Sequence, residues 1–263
     1  MRLVSIGAFM VLLLAAPAAF AVSNAPGDLG GTVGTVIHEG STRTAIVVYT
    51  DDYQGYDYVI QALNGLGLAY TAYYSDYAGF EAAVATGAYD LILVNHDNWY
   101  ELSYAWDTIL AELNAGKTAI ITTFDCDGSN DYSGYMSALL AYAGHTWSYD
   151  WGSPPTIYGW NHIANPWWAG MSASISGTDA YMDDGDGLHG AAATSFAGST
   201  PAYSEPDVMM NIHPCDLILA CWCADEYPAA EAILWWTNCI TWITVNPSPV
   251  GDGTWGAIKA LYR

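Results

Sequence analysis

Thr86-Gly87-Ala88-Tyr89-Asp90-Leu91-Ile92-Leu93-Val94 is the stretch that decides the fold. A glycine just past the last helical turn takes the left-handed cap at no steric cost. The apolar run that follows at once reads as a buried strand. The same grammar recurs in Leu66-Gly67-Leu68-Ala69-Tyr70, in Ala115-Gly116-Lys117-Thr118-Ala119-Ile120-Ile121 and in Ala143-Gly144-His145-Thr146-Trp147. Repeated helix-to-strand junctions of this kind predict an α/β domain with a parallel sheet and helices on both faces. Such sheets hold their ligands at the carboxyl ends of the strands.

The rest of the chain fits around these junctions. Thr44 to Thr50 reads as the first strand, and a helix follows from about Tyr56 to Leu66, with Val59, Ile60, Leu63 and Leu66 at helical spacing. Tyr70 to Tyr74 is a second strand, Phe80 and Val84 mark a short helix, and Leu91 to Val94 is the third strand. Trp106, Ile109, Leu110 and Leu113 stripe the next helix, Ala119 to Thr123 is a strand, and Met136, Leu139, Leu140 and Ala143 stripe another helix. From Thr146 to Ser204 the pattern changes to Gly, Ser, Pro and dense aromatics. So long an irregular stretch is uncommon in a compact domain, and it reads as short strands and loops capping one sheet edge. The α/β pattern returns with a strand over Asp216 to Cys223 and a helix over Ala229 to Ile243.

Residues 1–21 read as a secretory signal: Arg2, an apolar core from Val11 to Ala16, and the small-x-small site Ala19-Phe20-Ala21. That places the mature chain outside the cytoplasm: secreted, periplasmic or at the cell surface. Residues 22–43 read as a flexible lead-in, 44–246 as the α/β domain with its insertion at about 146–204, and 247–263 as a C-terminal tail. No later stretch is apolar for long enough to span a bilayer.

The chain has 27 Asp and Glu against 5 Lys and Arg, a formal charge of −22. Nucleic acid is excluded as a partner, because phosphate binding needs a basic surface. The acidity has two readings, solubility outside the cell and binding of a divalent cation. The five cysteines are Cys126, Cys215, Cys221, Cys223 and Cys239. Export permits disulfides, and an odd number leaves at least one thiol over.

Ala45–Asp52, the Gly-capped helix at 56–67, Tyr89–Asn95 and the Asn114-Ala115-Gly116-Lys117 turn before Ala119–Thr123 together resemble the class I glutamine amidotransferase-like fold. More narrowly, they are similar to its secreted or trehalose-utilisation-type variants. The resemblance covers residues 44–245 and implies a flavodoxin-like sheet. It also implies a nucleophilic cysteine in a Gly-x-Cys-x-Gly elbow and a downstream His-x-Glu pair. Here the elbow reads Phe124-Asp125-Cys126-Asp127-Gly128, and the chain contains no His-x-Glu. Asp125 and Asp127 beside Cys126 work against a thiolate. Glutaminase chemistry is therefore not expected. The ending Trp255 to Arg263 resembles the C-terminal endings of exported bacterial proteins.

Four groups of residues are candidates for function. The strand ends Asp51, Asp52, His96, Asp97, Asp125 and Asp127 converge if their strands are neighbours. They then either cap helices, hold Ca²⁺ or Mg²⁺ through Asp51, Asp52, Asp97 and Asp127, or act in acid–base catalysis. Cys126 is a candidate nucleophile with His96, His189 or His213 as base and Asp125 beside it. The alternatives are an inert thiol or a disulfide with Cys221 or Cys223. Asp183-Asp184-Gly185-Asp186-Gly187 lacks the spacing of an EF-hand loop and reads as a solvated turn. The fourth group is aromatic. The 12 Trp and 20 Tyr outnumber the 5 Phe, and Trp and Tyr are favoured where a ring is half wet. Trp151, Trp160, Trp167 and Trp168 would form a stacking platform for a glycan, or else fill a small core or an interface for self-association. The expectation is a glycan-binding protein. A hydrolase working from the strand-end cluster and a self-associating surface protein are the alternatives.

Overall fold

A computed structural model describes residues 32–36, 45–51, 57–97, 103–126, 135–150, 155–177, 185–213 and 216–245. In chain order the first half comprises β1 (Thr32–Val36), β2 (Ile46–Thr50), α1 (Tyr58–Leu66), β3 (Tyr70–Tyr74), α2 (Tyr77–Val84), β4 (Leu91–His96), α3 (Ser103–Asn114), β5 (Thr118–Thr123) and α4 (Tyr135–Tyr142). The second half comprises β6 (Thr146–Asp150), β7 (Thr156–Gly159), β8 (Ser174–Ser176), β9 (Asp186–His189), β10 (Ser195–Gly198), β11 (Val208–His213), β12 (Leu217–Ala220) and α5 (Ala229–Val245).

The four glycines that set the sequence reading, Gly67, Gly87, Gly116 and Gly144, all have positive φ, between 65° and 88°. At Gly67 the cap is complete: its N–H donates to the Asn64 carbonyl and that of Leu68 to the Leu63 carbonyl, each at 3.1 Å.

The main sheet runs β1-β3-β2-β4-β5-β12-β11-β10-β7-β8. Its centre, β3-β2-β4-β5-β12, is wholly parallel. Counted along the chain, those five strands lie in the order 2-1-3-4-5, that of flavodoxin-like doubly wound sheets. Side chains alternate across it. Ile46, Val48, Leu91, Leu93 and Ile120 pack on α1 and α5, in a core that contains Val59, Leu63, Trp235, Trp236 and Ile240. Val47, Tyr49, Ile92, Val94 and Ile121 face α2, α3 and α4, with Phe80, Ile109, Leu113, Met136 and Leu139. Helices thus cover both faces, as expected.

Three readings change. The fourth glycine junction does not feed the parallel sheet. Among the described residues its strand β6 pairs only with β9, antiparallel, because Thr-Trp-Ser-Tyr-Asp is too polar to be buried on both faces. The fifth parallel strand is β12, whose Leu-Ile-Leu-Ala is fully buried. The aromatic-rich insertion does not cap the sheet but lengthens it: beyond β11, its strands β10, β7 and β8 continue the sheet in antiparallel pairs. The stretch 22–43, read as a structureless lead-in, contains β1, paired antiparallel with β3. No helix among the described residues is long and apolar enough to cross a membrane.

Candidate functional site

In a 2-1-3-4-5 sheet the strand order reverses between β2 and β4, and the ligand crevice opens at their carboxyl ends. The residues placed there are Asp51, Asn95, His96 and Asp97. The Asp97 N–H donates to Asp51 Oδ2 at 2.7 Å, tying the two strand ends together. Asn95 Nδ2 donates to Asp97 Oδ2 at 2.9 Å, and Thr122 Oγ1 donates to Asn95 Oδ1 at 3.0 Å. The Ala224 N–H, just beyond β12, donates to Asp97 Oδ1 at 3.2 Å. The expected convergence of Asp51 and Asp97 is therefore present.

It is closed rather than open. Asp51, His96, Asp97, Asp225 and Glu226 are all buried. Burial pushes the Asp97 carboxyl well above the usual carboxylate range, against hydrogen bonds from Cys223, Ala224 and Asn95. Burial also raises Asp225, and the charges of Asp97, Asp51 and Asp57 raise it further. Neither Asp225 oxygen makes a well-formed hydrogen bond among the described residues. The Cys223 thiol is raised by burial and then by Asp97, Glu226 and Asp225. Asp97 and Asp225 are thus held towards their neutral forms.

The expected metal site does not assemble from what is described. No three His, Cys, Asp or Glu residues among the described residues are placed to hold a metal ion. Asp51 and Asp97 instead accept backbone N–H groups from other segments, Asp97 and Ala224, and tie those segments together. Asp52 and Asp127 lie outside the described residues.

The nucleophile reading is corrected. Cys126 is joined to Cys221 in a disulfide. Its sulfur is consumed, and its backbone N–H donates to Asp186 Oδ2. His96 does not serve it as a base either. Its Nδ1 is 3.0 Å from Thr123 Oγ1 and its ring stacks on Phe124 at 5.4 Å, with Trp106 edge-on at 5.9 Å. Asp125 is half-buried, and its N–H donates to Thr123 Oγ1 at 3.3 Å.

The tryptophan platform is corrected as well. Trp160, Trp167 and Trp168 are only 2%, 3% and 8% exposed. Their rings are core: Trp167 packs on Phe196 at 4.8 Å and on Trp242 at 5.2 Å, and Trp160 Nε1 donates to the Thr200 carbonyl at 2.8 Å. Trp151 lies outside the described residues.

One ring does meet the requirement. Trp147, on β6, is 43% exposed. Its Nε1 donates to Asp186 Oδ1 at 2.9 Å. Asp186 therefore joins an exposed indole to the Cys126 amide at the end of β5. This aspartate belongs to the run read as a solvated turn, yet it is buried. Asp225 and Glu226 were also missed. They follow the fifth parallel strand as Asp51 follows the first, so the strand-end rule applied to β12 finds them. Sequence carries no mark that sets Trp147 apart from its neighbours; its exposure follows from lying on β6, a strand paired on one side.

The strand order, the two helical layers and the glycine junctions make the fold a flavodoxin-like doubly wound α/β sheet, consistent with the class I glutamine amidotransferase-like resemblance. No family model and no curated protein matches the chain. Among solved structures, it is similar to a ThuA-like protein from Bacteroides uniformis, at 12% identity and TM-score 0.46, over 76% of this chain and 90% of that one. It is also similar to the Trypanosoma brucei CTPS glutaminase domain, at 8% identity and TM-score 0.49, over 79% and 96%. A Thermotoga maritima glutamine amidotransferase matches at 6% identity and TM-score 0.47, over 83% and 94%. Likeness at this level concerns the fold only, which stands on its own strand order.

Proposed function

We propose that this is an exported protein that uses an amidotransferase-like fold to bind a glycan, without glutaminase chemistry. The observation that carries the reading is Trp147: it is the one exposed tryptophan among the described residues, and a buried aspartate fixes its ring. A half-wet indole held rigid presents a flat apolar face at little entropic cost, and sugar rings stack on such faces. The cysteine in the elbow position is locked in a disulfide, which argues against covalent catalysis there. The strong negative charge favours a neutral ligand over an anionic one.

The test is a panel of neutral and acidic oligosaccharides titrated into the full chain and into Trp147→Ala, with affinity read by calorimetry. At least one neutral glycan should bind, and the variant should bind it about fivefold more weakly, as loss of an aromatic contact of about 1 kcal/mol requires. If no glycan binds, or if the variant binds as the parent does, the reading is wrong.

A further inference from the structure

His189, one of the candidate bases for Cys126, lies instead in the wall of a cleft of about 570 Å³. The cleft opens where the end of α4, the start of β6, the end of β9 and residues 203–205 meet, and its volume is typical of small-molecule sites. Three of its wall residues bear chemistry: Thr146, His189 and Glu205. All three are exposed, so a molecule in the cleft reaches them.

Their placement follows from the strand pairing. Thr146 and His189 are direct cross-strand partners in the β6–β9 ladder. Residues opposed in this way share a face, with Cβ atoms about 4.5–5.5 Å apart, which puts a threonine hydroxyl within reach of an imidazole nitrogen. On the other side of the ring, Glu205 Oε1 stands 3.5 Å from His189 Nδ1. A carboxylate there favours the tautomer with its proton on Nδ1 and leaves Nε2 as an acceptor. Such contacts are often loose in an empty site and tighten when substrate binds.

Gly190 holds these segments together. Its N–H donates to the Glu205 carbonyl at 3.2 Å, and its own carbonyl accepts from the Tyr203 hydroxyl at 2.7 Å. Buried His145 fills the space behind it. A Cβ on residue 190 would lie 2.2 Å from His145 Nε2, so glycine is what lets this backbone close on the ring.

Hydroxyl, imidazole and carboxylate in that order are a nucleophile, its base and the group that orients the base. The Ala191 N–H, also in the wall, makes no backbone hydrogen bond among the described residues and is left to meet a carbonyl oxygen. Ala141, Gly144 and Ala191 are small walls that suit a short acyl group. The charge of −22 favours a neutral substrate over an anionic one.

We propose that this cleft hydrolyses short-chain esters of neutral alcohols, with Thr146 as nucleophile, His189 as general base and Glu205 as the positioning residue for His189. The Thr146 oxygen attacks the ester carbonyl carbon, and its proton passes to His189 Nε2. The carbon–oxygen bond to the alcohol breaks, and the alcohol leaves with that proton. Water then gives a proton to the same nitrogen and attacks the acyl-threonine. The acid is released and the proton returns to the Thr146 oxygen. Trp147, the next residue of β6, points to the opposite face of the strand, so this activity is independent of the glycan reading.

The experiment follows hydrolysis of p-nitrophenyl acetate, butyrate and octanoate by the full chain, against free imidazole at the same concentration. The acetate should be turned over with saturation, faster than the octanoate, and about a hundredfold faster than by imidazole. Thr146→Val and His189→Ala should each lose about a hundredfold, and Thr146→Ser should keep the activity. Glu205→Gln should lower kcat about tenfold at unchanged KM, which separates orientation of the base from a loss of structure. Mass spectrometry of acid-quenched wild-type reactions should find an acetyl group on the peptide that carries Thr146. Turnover no faster than with imidazole overturns the proposal. So does turnover that survives Thr146→Val with no acetyl on that peptide, because an exposed histidine is then acting unaided. A preference for the octanoate overturns the short-chain assignment. The wild-type rates and the acetyl map decide the matter even if a variant does not fold.

Discussion

The Cys126–Cys221 disulfide joins residues 95 apart in sequence, and its removal should cost much of the stability of the domain. Both cysteines are buried and lie just past the ends of the neighbouring strands β5 and β12. Cross-linking shortens the unfolded chain's list of conformations, and for a loop of about 100 residues the entropic gain is about 4.7 kcal/mol at 25 °C. Removing a native disulfide typically costs about 2–5 kcal/mol, so about 3–4 kcal/mol is expected. In a domain of this size 1 kcal/mol moves the melting temperature by about 2–4 °C. The double variant Cys126→Ala/Cys221→Ala should therefore melt about 10 °C below the parent. The assay is circular dichroism melting of both proteins with and without a reducing agent. Reduction should lower the parent to the variant's value and leave the variant where it is. Peptide mapping should recover the two cysteines in one cross-linked fragment. A parent that is insensitive to reductant, or that alkylates at Cys126 before reduction, would refute the pairing and return Cys126 to the list of reactive thiols.

Further outcomes follow from individual residues. Folding raises the proton affinity of Asp97 and Asp225, so the native state binds more protons than the unfolded chain above the usual carboxylate range. Stability should fall as pH rises through that window, by about 1.4 kcal/mol for each tenfold gain in proton affinity. Asp225→Asn should melt higher than the parent at pH 8 and lose less stability between pH 5 and 8; identical slopes in urea titrations would contradict the burial argument. Trp160→Ala and Trp167→Ala should each cost about 3–5 kcal/mol in urea unfolding, as core truncations do, and values below 1 kcal/mol would return those rings to the surface. Gly185, which forms an isolated antiparallel bridge with Trp222, has φ +135° and a Cβ there would lie 2.7 Å from the Cys221 carbonyl oxygen, so Gly185→Ala should cost about 2 kcal/mol or more; an unchanged melt would show that this bridge is not held.

The fold was legible because its signal is local. A left-handed glycine followed by Leu91-Ile92-Leu93-Val94 constrains helix end, strand and burial in nine residues, and each such unit needs little from elsewhere. The extension of the sheet was illegible for the opposite reason. Strands such as Ser195–Gly198 and Ser174–Ser176 are three or four residues long, too short for a period to emerge, and their partners are distant in sequence. The tryptophans misled for a related reason. Composition places rings in half-wet positions on average, but Trp160 and Trp168 satisfy their indole N–H groups on the Thr200 and Ser172 carbonyls. That lets a whole ring be buried, and the contact cannot be read from either residue alone.

The strand-end rule located the crevice, and its chemistry then turned out to be structural. Asp51 and Asp97 each spend one oxygen on a backbone N–H, and these bonds bind β2, β4 and the turn after β12 to one another. Asp186 does the same for Cys126 and Trp147. Each carboxyl thus replaces a contact that a ligand or a catalytic group would need, and the disulfide fixes the two strand ends it joins. The strand ends around this crevice are thereby locked to one another. The result is rigidity, and the residue that gains most from it is Trp147. An indole on a one-sided strand would sample many rotamers; tied through Asp186 to the locked end of β5, it is held as a fixed face. The strand-end crevice thus acts as the anchor of a surface site, and binding that depends on Trp147 should also weaken when Asp186 is replaced by Ala, even though Asp186 is buried. Equal glycan affinity in Asp186→Ala and the parent, with both folded, would separate the two and remove the link between crevice and surface.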